Sequence, residues 1–436
     1  MRTTVLFCTV TAAFSGCGSD DPEGNRPPPR VIPGGGIDDG AIDGVVNVYV
    51  IDDTTRAPVA GATVRIGELE GTTDPQGLFV AEDLVGPQTV IVKAPSYRSE
   101  MWIGANGANM TFNLEASAAP TPPAATLNGQ ITGFSGISVE PGHAKQAVVW
   151  YSNTDDIGDP ENEIATPNNT NFCIGTGTDG CSFAIKTRTG NIALIAAISD
   201  RDLMGTPSVF EDDTQTLIGW ASAGGITVAA GVDQSGKDLT MIAEGSLVTE
   251  TVDFATPPAN LPDRAAIIGI DLGQDGVFQI PLFRTPTEPS LKVPSLASVS
   301  GTGYRLTGLA TDNAQTPKPE SIVLRRGLTG TALSAGTWIA PPTNTTVTRT
   351  AAAWTPSTGA TVHSVEYAQG TAKLLNITVF DGTTSVTVPD LVALPAGLLI
   401  GKVSAIGAAG LDTSSFSLDS DRDKLSEVAA ASTQIN

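Results

Sequence analysis

The chain has 436 residues, with 24 Lys and Arg against 46 Asp and Glu, a formal net charge of −22. That length accommodates about three domains and several buried cores, and the acid excess works against binding to nucleic acid or anionic lipid surfaces. The 47 Gly and 30 Pro, with Thr- and Val-rich stretches, predict short strands and turns in place of long helices. The expected fold class is all-β: serial β-sandwich modules following a leader and a disordered tether.

The chain opens with a short positive region at Arg2 and a mostly apolar run from Val5 to Phe14, interrupted by Cys8 and threonines. A membrane span needs about 20 apolar residues, so residues 1–16 read as a secretory signal peptide. The ending Phe14-Ser15-Gly16-Cys17 resembles the lipobox of bacterial lipoproteins. The resemblance implies cleavage before Cys17, a diacylglycerol on its thiol and acylation of the new amine. Two or more acyl chains anchor stably where one binds only marginally. Gly18 and Ser19 follow Cys17 with no Asp at the second position, which resembles an outer-membrane sorting pattern. The implied location is the bacterial cell envelope, facing the periplasm or the exterior. The alternative is an ordinary secreted protein with an incidental Cys.

Residues 17–43 contain Pro27-Pro28-Pro29 and Gly34-Gly35-Gly36 with no apolar period. They are expected to form a tether, stiff at the prolines and loose at the glycines. Cys8 leaves with the leader and Cys17 carries lipid, so Cys173 and Cys181 remain, with seven residues between them. In an exported protein such a pair predicts a disulfide. A redox or metal pair is the alternative, without a Cys-x-x-Cys or a nearby His to support it.

Residues 44–115 alternate clearly. Val46, Val48 and Val50 interleave with Asn47 and Tyr49, and Met110, Phe112 and Leu114 with Thr111 and Asn113. Asp74-Pro75-Gln76-Gly77 predicts a type I turn. Strands at this spacing predict a β-sandwich. The segments Pro58–Val64, Thr73–Phe79 and Val92–Tyr97 resemble the carboxypeptidase regulatory-like domain, a transthyretin-like Greek-key sandwich. That family has Gly where this chain has Ser96, which bears on the turn's backbone angle. The resemblance implies a fold and is nearly silent on function.

Residues 116–125 read as a linker, and 126–250 as a second, enlarged sandwich carrying the Cys173–Cys181 loop. Residues 251–342 are proline-interrupted and β-rich, with short strands expected at 266–270 and 321–324. Residues 343–418 resemble a fibronectin type III module through Trp354-Thr355-Pro356, Val365-Glu366-Tyr367 and Leu394–Gly397. The tail, 419–436, is acidic and then Ala-rich, which predicts a short helix.

Chemistry is sparse. There are two His, His143 and His363, and no Gly-x-Ser-x-Gly or His-Glu-x-x-His motif. His363 and Glu366 have a zinc-like spacing, but strand alternation sends them to opposite faces, leaving His363 as a surface His. Asp419, Asp421 and Asp423 place carboxylates at alternate positions and are the candidate metal ligands, for Ca²⁺. The other reading is a solvated acidic cap. Asp271 to Gly276 is a weaker calcium candidate that a β-turn also explains. Trp150 and Tyr151 are adjacent on one strand, so one should face out, as a platform for a sugar. The expected function is a non-catalytic, membrane-anchored envelope lipoprotein that acts as a binding, adhesion or scaffold module. Its expected partners are the membrane, through lipid only, and a protein or glycan ligand, not nucleic acid. A carbohydrate-binding protein and a glycan hydrolase with a carboxylate pair are the alternatives.

Overall fold

The computed structural model describes residues 28–117, 124–153, 171–205 and 214–436. The leader, Cys17 and the start of the expected tether lie outside the described residues, as does most of the expected linker. Within them the architecture follows from strands that are apolar on both faces. In Gln88–Lys93, Val90 and Val92 point one way and Ile91 the other, and all three are at most 5% exposed. Such a strand needs cover on both sides.

It lies in a sheet of twelve described strands. One end is built from Leu69–Thr72, Thr63–Ile66, Gln88–Lys93 and Ser99–Ala105. Ala372–Val379 adds parallel to Ser99–Ala105, with Asn376 opposite Glu100. Val362–Gln369, Leu399–Ala408 and Leu425–Ile435 continue it. Glu320–Leu328, Gly303–Thr311, Asp263–Asp271 and Val277–Gln279 complete the other end.

Three cores share this sheet. A five-stranded sheet in the order Phe416–Ser417, Gly36–Asp38, Asn109–Leu114, Asp43–Asp52, Leu78–Val85 closes one over Val48, Val64, Val92 and Phe112. On the opposite face, Ile91, Met101, Val365, Tyr367 and Leu375 pack under the strands Thr343–Val347, Ala351–Thr355 and Ser385–Thr387. At the far end, Ile268, Leu306 and Val323 meet Val252, Val293 and Leu333 from another three-stranded sheet, together with Trp220. Trp220 comes from a seven-stranded sheet wrapped around Leu127, Phe134, Val149 and Phe183. Its edge strands are Phe172–Gly175 and Ser182–Arg188, and the Cys173–Cys181 disulfide ties one edge to the residue before the other.

The Asp74 turn forms as expected: Gly77 N–H donates to Asp74 O at 2.9 Å, and Asp74 Oδ1 accepts from Gln76 and Leu78. Ser96 adopts φ +68°, a left-handed backbone angle that favours Gly.

Three expectations are corrected. The tether is not loose throughout, because Gly36–Asp38 is a strand between Asn109–Leu114 and Phe416–Ser417, and Ile32, Ile37 and Ile42 are buried. Its glycines mark close approach: a side chain on Gly34 would meet Asp419, and one on Gly36 would meet the Phe416 carbonyl. The tail holds no α-helix, only a 3₁₀ turn at Arg422–Lys424 and then the strand Leu425–Ile435. Alanine's helix preference is worth under about 1 kcal/mol per residue, and here Ala429 and Ala430 lie between two antiparallel partners at 0% and 1% exposure. Finally, Ala124–Thr132 begins inside the expected linker, and Leu247–Asp253 runs across position 250 without a break.

Candidate ligand cavity

The twelve-stranded sheet is wider than its five-stranded cover. Beyond Phe416–Ser417, the face formed by Ser99–Ala105, Ala372–Val379 and Val362–Gln369 is roofed by side chains of the 411–422 segment. A cavity of about 500 Å³ remains between them, a size ordinary for small-molecule sites.

Alternation and register place its polar groups. Arg98, Glu100 and Trp102 point to this side, Asn376 sits opposite Glu100, and Glu366 opposite Asn376. Arg98 pairs with Glu100 and Glu115, each at 2.7 Å, and lies 3.6 Å from Glu366. Asn376 Nδ2 donates to the other Glu100 oxygen at 2.8 Å, and Lys373 reaches Glu115 at 3.1 Å. The Arg98 and Glu100 side chains are 16% and 6% exposed. Burial opposes charge on Arg98, but the Glu100 and Glu115 carboxylates outweigh it and raise its pKa. Burial pushes Glu100 up, against the pull of Arg98 and the Asn376 donor.

Aromatic rings line the same cavity. Trp102 stacks on Phe112 with centroids 3.9 Å apart, and Phe380 and Phe416 lie 5.8 Å from each other. At the mouth, Arg56 bridges Asp53 at 3.5 Å and Asp419 at 3.3 Å. Six carboxylates line the cavity against four basic side chains.

The residues singled out from sequence fall elsewhere or apart. Trp150 packs against the core around Phe278, at 6.4 Å, and Tyr151 against the core around Val149. Both faces of their strand are covered, so neither residue is an open platform. Asp419 faces Arg56, Asp421 pairs with Lys424 at 2.8 Å, and Asp423 lies 3.5 Å from Arg326. Each of these acids has a different cation, and no group of three or more metal-ligating side chains occurs among the described residues. Asp271 to Gly276 is a turn: Asp271 Oδ1 accepts from Gly273 N–H at 2.9 Å, and residues 273–275 form a 3₁₀ turn. His363 is not a surface residue. It is 8% exposed beneath Trp354, and burial lowers its pKa. Glu366 does lie on the other face, in the cavity. His143 sits on the seven-stranded sheet, 2.8 Å from Asp200, whose hydrogen bond raises its pKa.

Arg98, Glu100 and Asn376 escaped the sequence reading. The signal for the first two was present: opposite charges at alternate positions leading into the apolar Met101-Trp102-Ile103. Among the described residues, no helix is long and apolar enough to cross a membrane.

No protein-family model matches the chain, and no curated protein matches it. Among solved structures, it is similar to the shaft pilin SpaA from Lactobacillus rhamnosus GG, at 9% identity over 45% of this chain and 97% of that one, TM-score 0.15. BcpA, the major pilin subunit of Bacillus cereus, aligns at 9% identity over 67% of this chain and 97% of that one, TM-score 0.15. A Ca²⁺-stabilized adhesin that helps an Antarctic bacterium bind ice aligns at 10% identity over 91% and 98%, TM-score 0.13. Likeness at this level leaves both fold and function to be read from the chain itself.

Proposed function

We propose that the protein is a non-catalytic binding and scaffold module of the bacterial cell envelope, exported by its leader and held by lipid on Cys17. In this reading residues 44–115 are a carboxypeptidase regulatory-like sandwich and 343–418 a fibronectin type III-like one. The observation that supports it is the twelve-stranded sheet. It joins strands from residues 63–105 to strands from 263–435, so the modules form one body able to carry load between an anchor and a partner. The disulfide between Cys173 and Cys181 supports an oxidising compartment.

Protease shaving of intact cells tests this reading, with detection of the segment around Trp354 and a Cys17→Ala variant for comparison. Cleavage on intact cells, with release of the variant to the medium, is the expected result. Protection until the envelope is opened rejects the surface location, and a variant that stays cell-bound rejects the lipid anchor.

A further inference from the structure

We propose that the cavity between the twelve-stranded sheet and the 411–422 segment binds a small organic cation with an apolar body, a protonated amine attached to an aromatic or aliphatic group. This does not depend on how the chain is anchored. The argument starts from charge. Six carboxylates face four basic side chains, and Arg98, Lys373 and Arg56 are each already paired with acids. An anion entering the cavity would compete with Glu100, Glu115 and Glu366 for Arg98. A cation would instead add donors to carboxylates with acceptor positions to spare. Glu366 is the clearest of these, because its ion pair with Arg98 is stretched to 3.6 Å. Asn113, also in the wall, has its Oδ1 buried without a hydrogen-bond donor.

The apolar side fits the same ligand. Phe380 and Phe416 line the same cavity as the acids, and an aromatic face attracts a cation while covering its hydrocarbon part. The mouth is reachable past Leu418, which is 37% exposed. The overall charge of −22 concentrates cations near the protein, and an acid-lined cleft with low-dielectric walls focuses that field.

Isothermal titration of the mature full-length protein tests the assignment with four probes: 2-phenylethylammonium, its neutral isostere 2-phenylethanol, 3-phenylpropionate and cellobiose. The ammonium is expected to bind at least about tenfold more tightly than the alcohol, and more weakly as salt rises. Glu366→Gln, a substitution at a half-exposed position, should lose about tenfold for the ammonium and nothing for the alcohol. The proposal is overturned if the alcohol or phenylpropionate binds as tightly as the ammonium. It is equally overturned if only cellobiose binds, if none of the four binds at millimolar concentration, or if Glu366→Gln leaves the ammonium unaffected. The probe comparison on the unaltered protein stands even where a variant misfolds.

Discussion

Glu100 and Glu250 are both buried on strands of this body, and they are accommodated in opposite ways. Glu100 has Arg98 at 2.7 Å and the Asn376 amide at 2.8 Å, one partner for each oxygen. Glu250, 1% exposed, faces the core around Val252 and Leu291, and its Oε2 has no hydrogen-bond partner. The nearby Tyr304 hydroxyl donates to Pro294 O instead. Burial raises the pKa of both acids, but only Glu100 has a guanidinium pulling against it. Tyr304 is itself pushed up to about 12, by burial and then by the charge of Glu250. One region therefore carries its buried charge as an exchangeable network around a cavity. The other leaves its buried acid in a packed core with no cation beside it, among the described residues, to offset burial.

The largest expected effect tests the network. Arg98→Met leaves Glu100 and Glu115 without their guanidinium, and removing one partner of a buried pair costs about 3–5 kcal/mol. Urea denaturation at neutral pH measures it, and a loss below about 1 kcal/mol would mean that water already screens the cluster. Next is the unpartnered acid. Because the folded-state pKa of Glu250 is raised, the native state keeps its proton to higher pH than the unfolded chain does. Stability is then fully present below the ordinary glutamate value and falls as pH rises toward the raised one, by up to about 1.4 kcal/mol per pH unit. Glu250→Gln should remove that fall, read as denaturation midpoints across pH 4 to 8. A variant whose profile matches the unaltered protein would erase the contrast with Glu100. The smallest effect is a local control. Ser96, two residues before Arg98, sits at φ +68°, so Ser96→Gly should gain about 0.5–1 kcal/mol. That gain should be the same at every pH, and a pH-dependent one would tie the turn to the charge network.

Much of the N-terminal sandwich was legible because its signals are local. The alternation of Val46, Val48 and Val50 places each at 0% exposure, and Asp74 to Gly77 closes as its residue types require. The tail misled for a related reason. The Ala429–Ala431 run carries a helix preference, and nothing within the tail reports that Leu399–Ala408 and Glu320–Leu328 wait on either side. Gly34 to Gly36 read as flexible for want of side chains, when that lack is what lets the backbone approach Asp419 and Phe416. Trp150 and Tyr151 lie on a strand as expected, but the face on which one of them was expected to stand open is covered, because each packs against a different core. The cavity was out of reach: Arg98 and Glu115 on one side and Glu366 and Asn376 on the other come from distant segments, and the two pairs are joined by a parallel pairing, Ser99–Ala105 with Ala372–Val379.

By itself, then, the sequence determined the strand content, several turns and the pairing of Cys173 with Cys181, all of which depend on residue type and near-neighbour spacing. Tertiary structure decided that the sandwiches share one sheet, that the tail is a strand, and that six acidic, four basic and two amide side chains line one space together with aromatic rings. Those outcomes depend on which strand edges meet. Backbone ladders accept many partners, and the choice among them is made by burying both faces of strands such as Gln88–Lys93 at once.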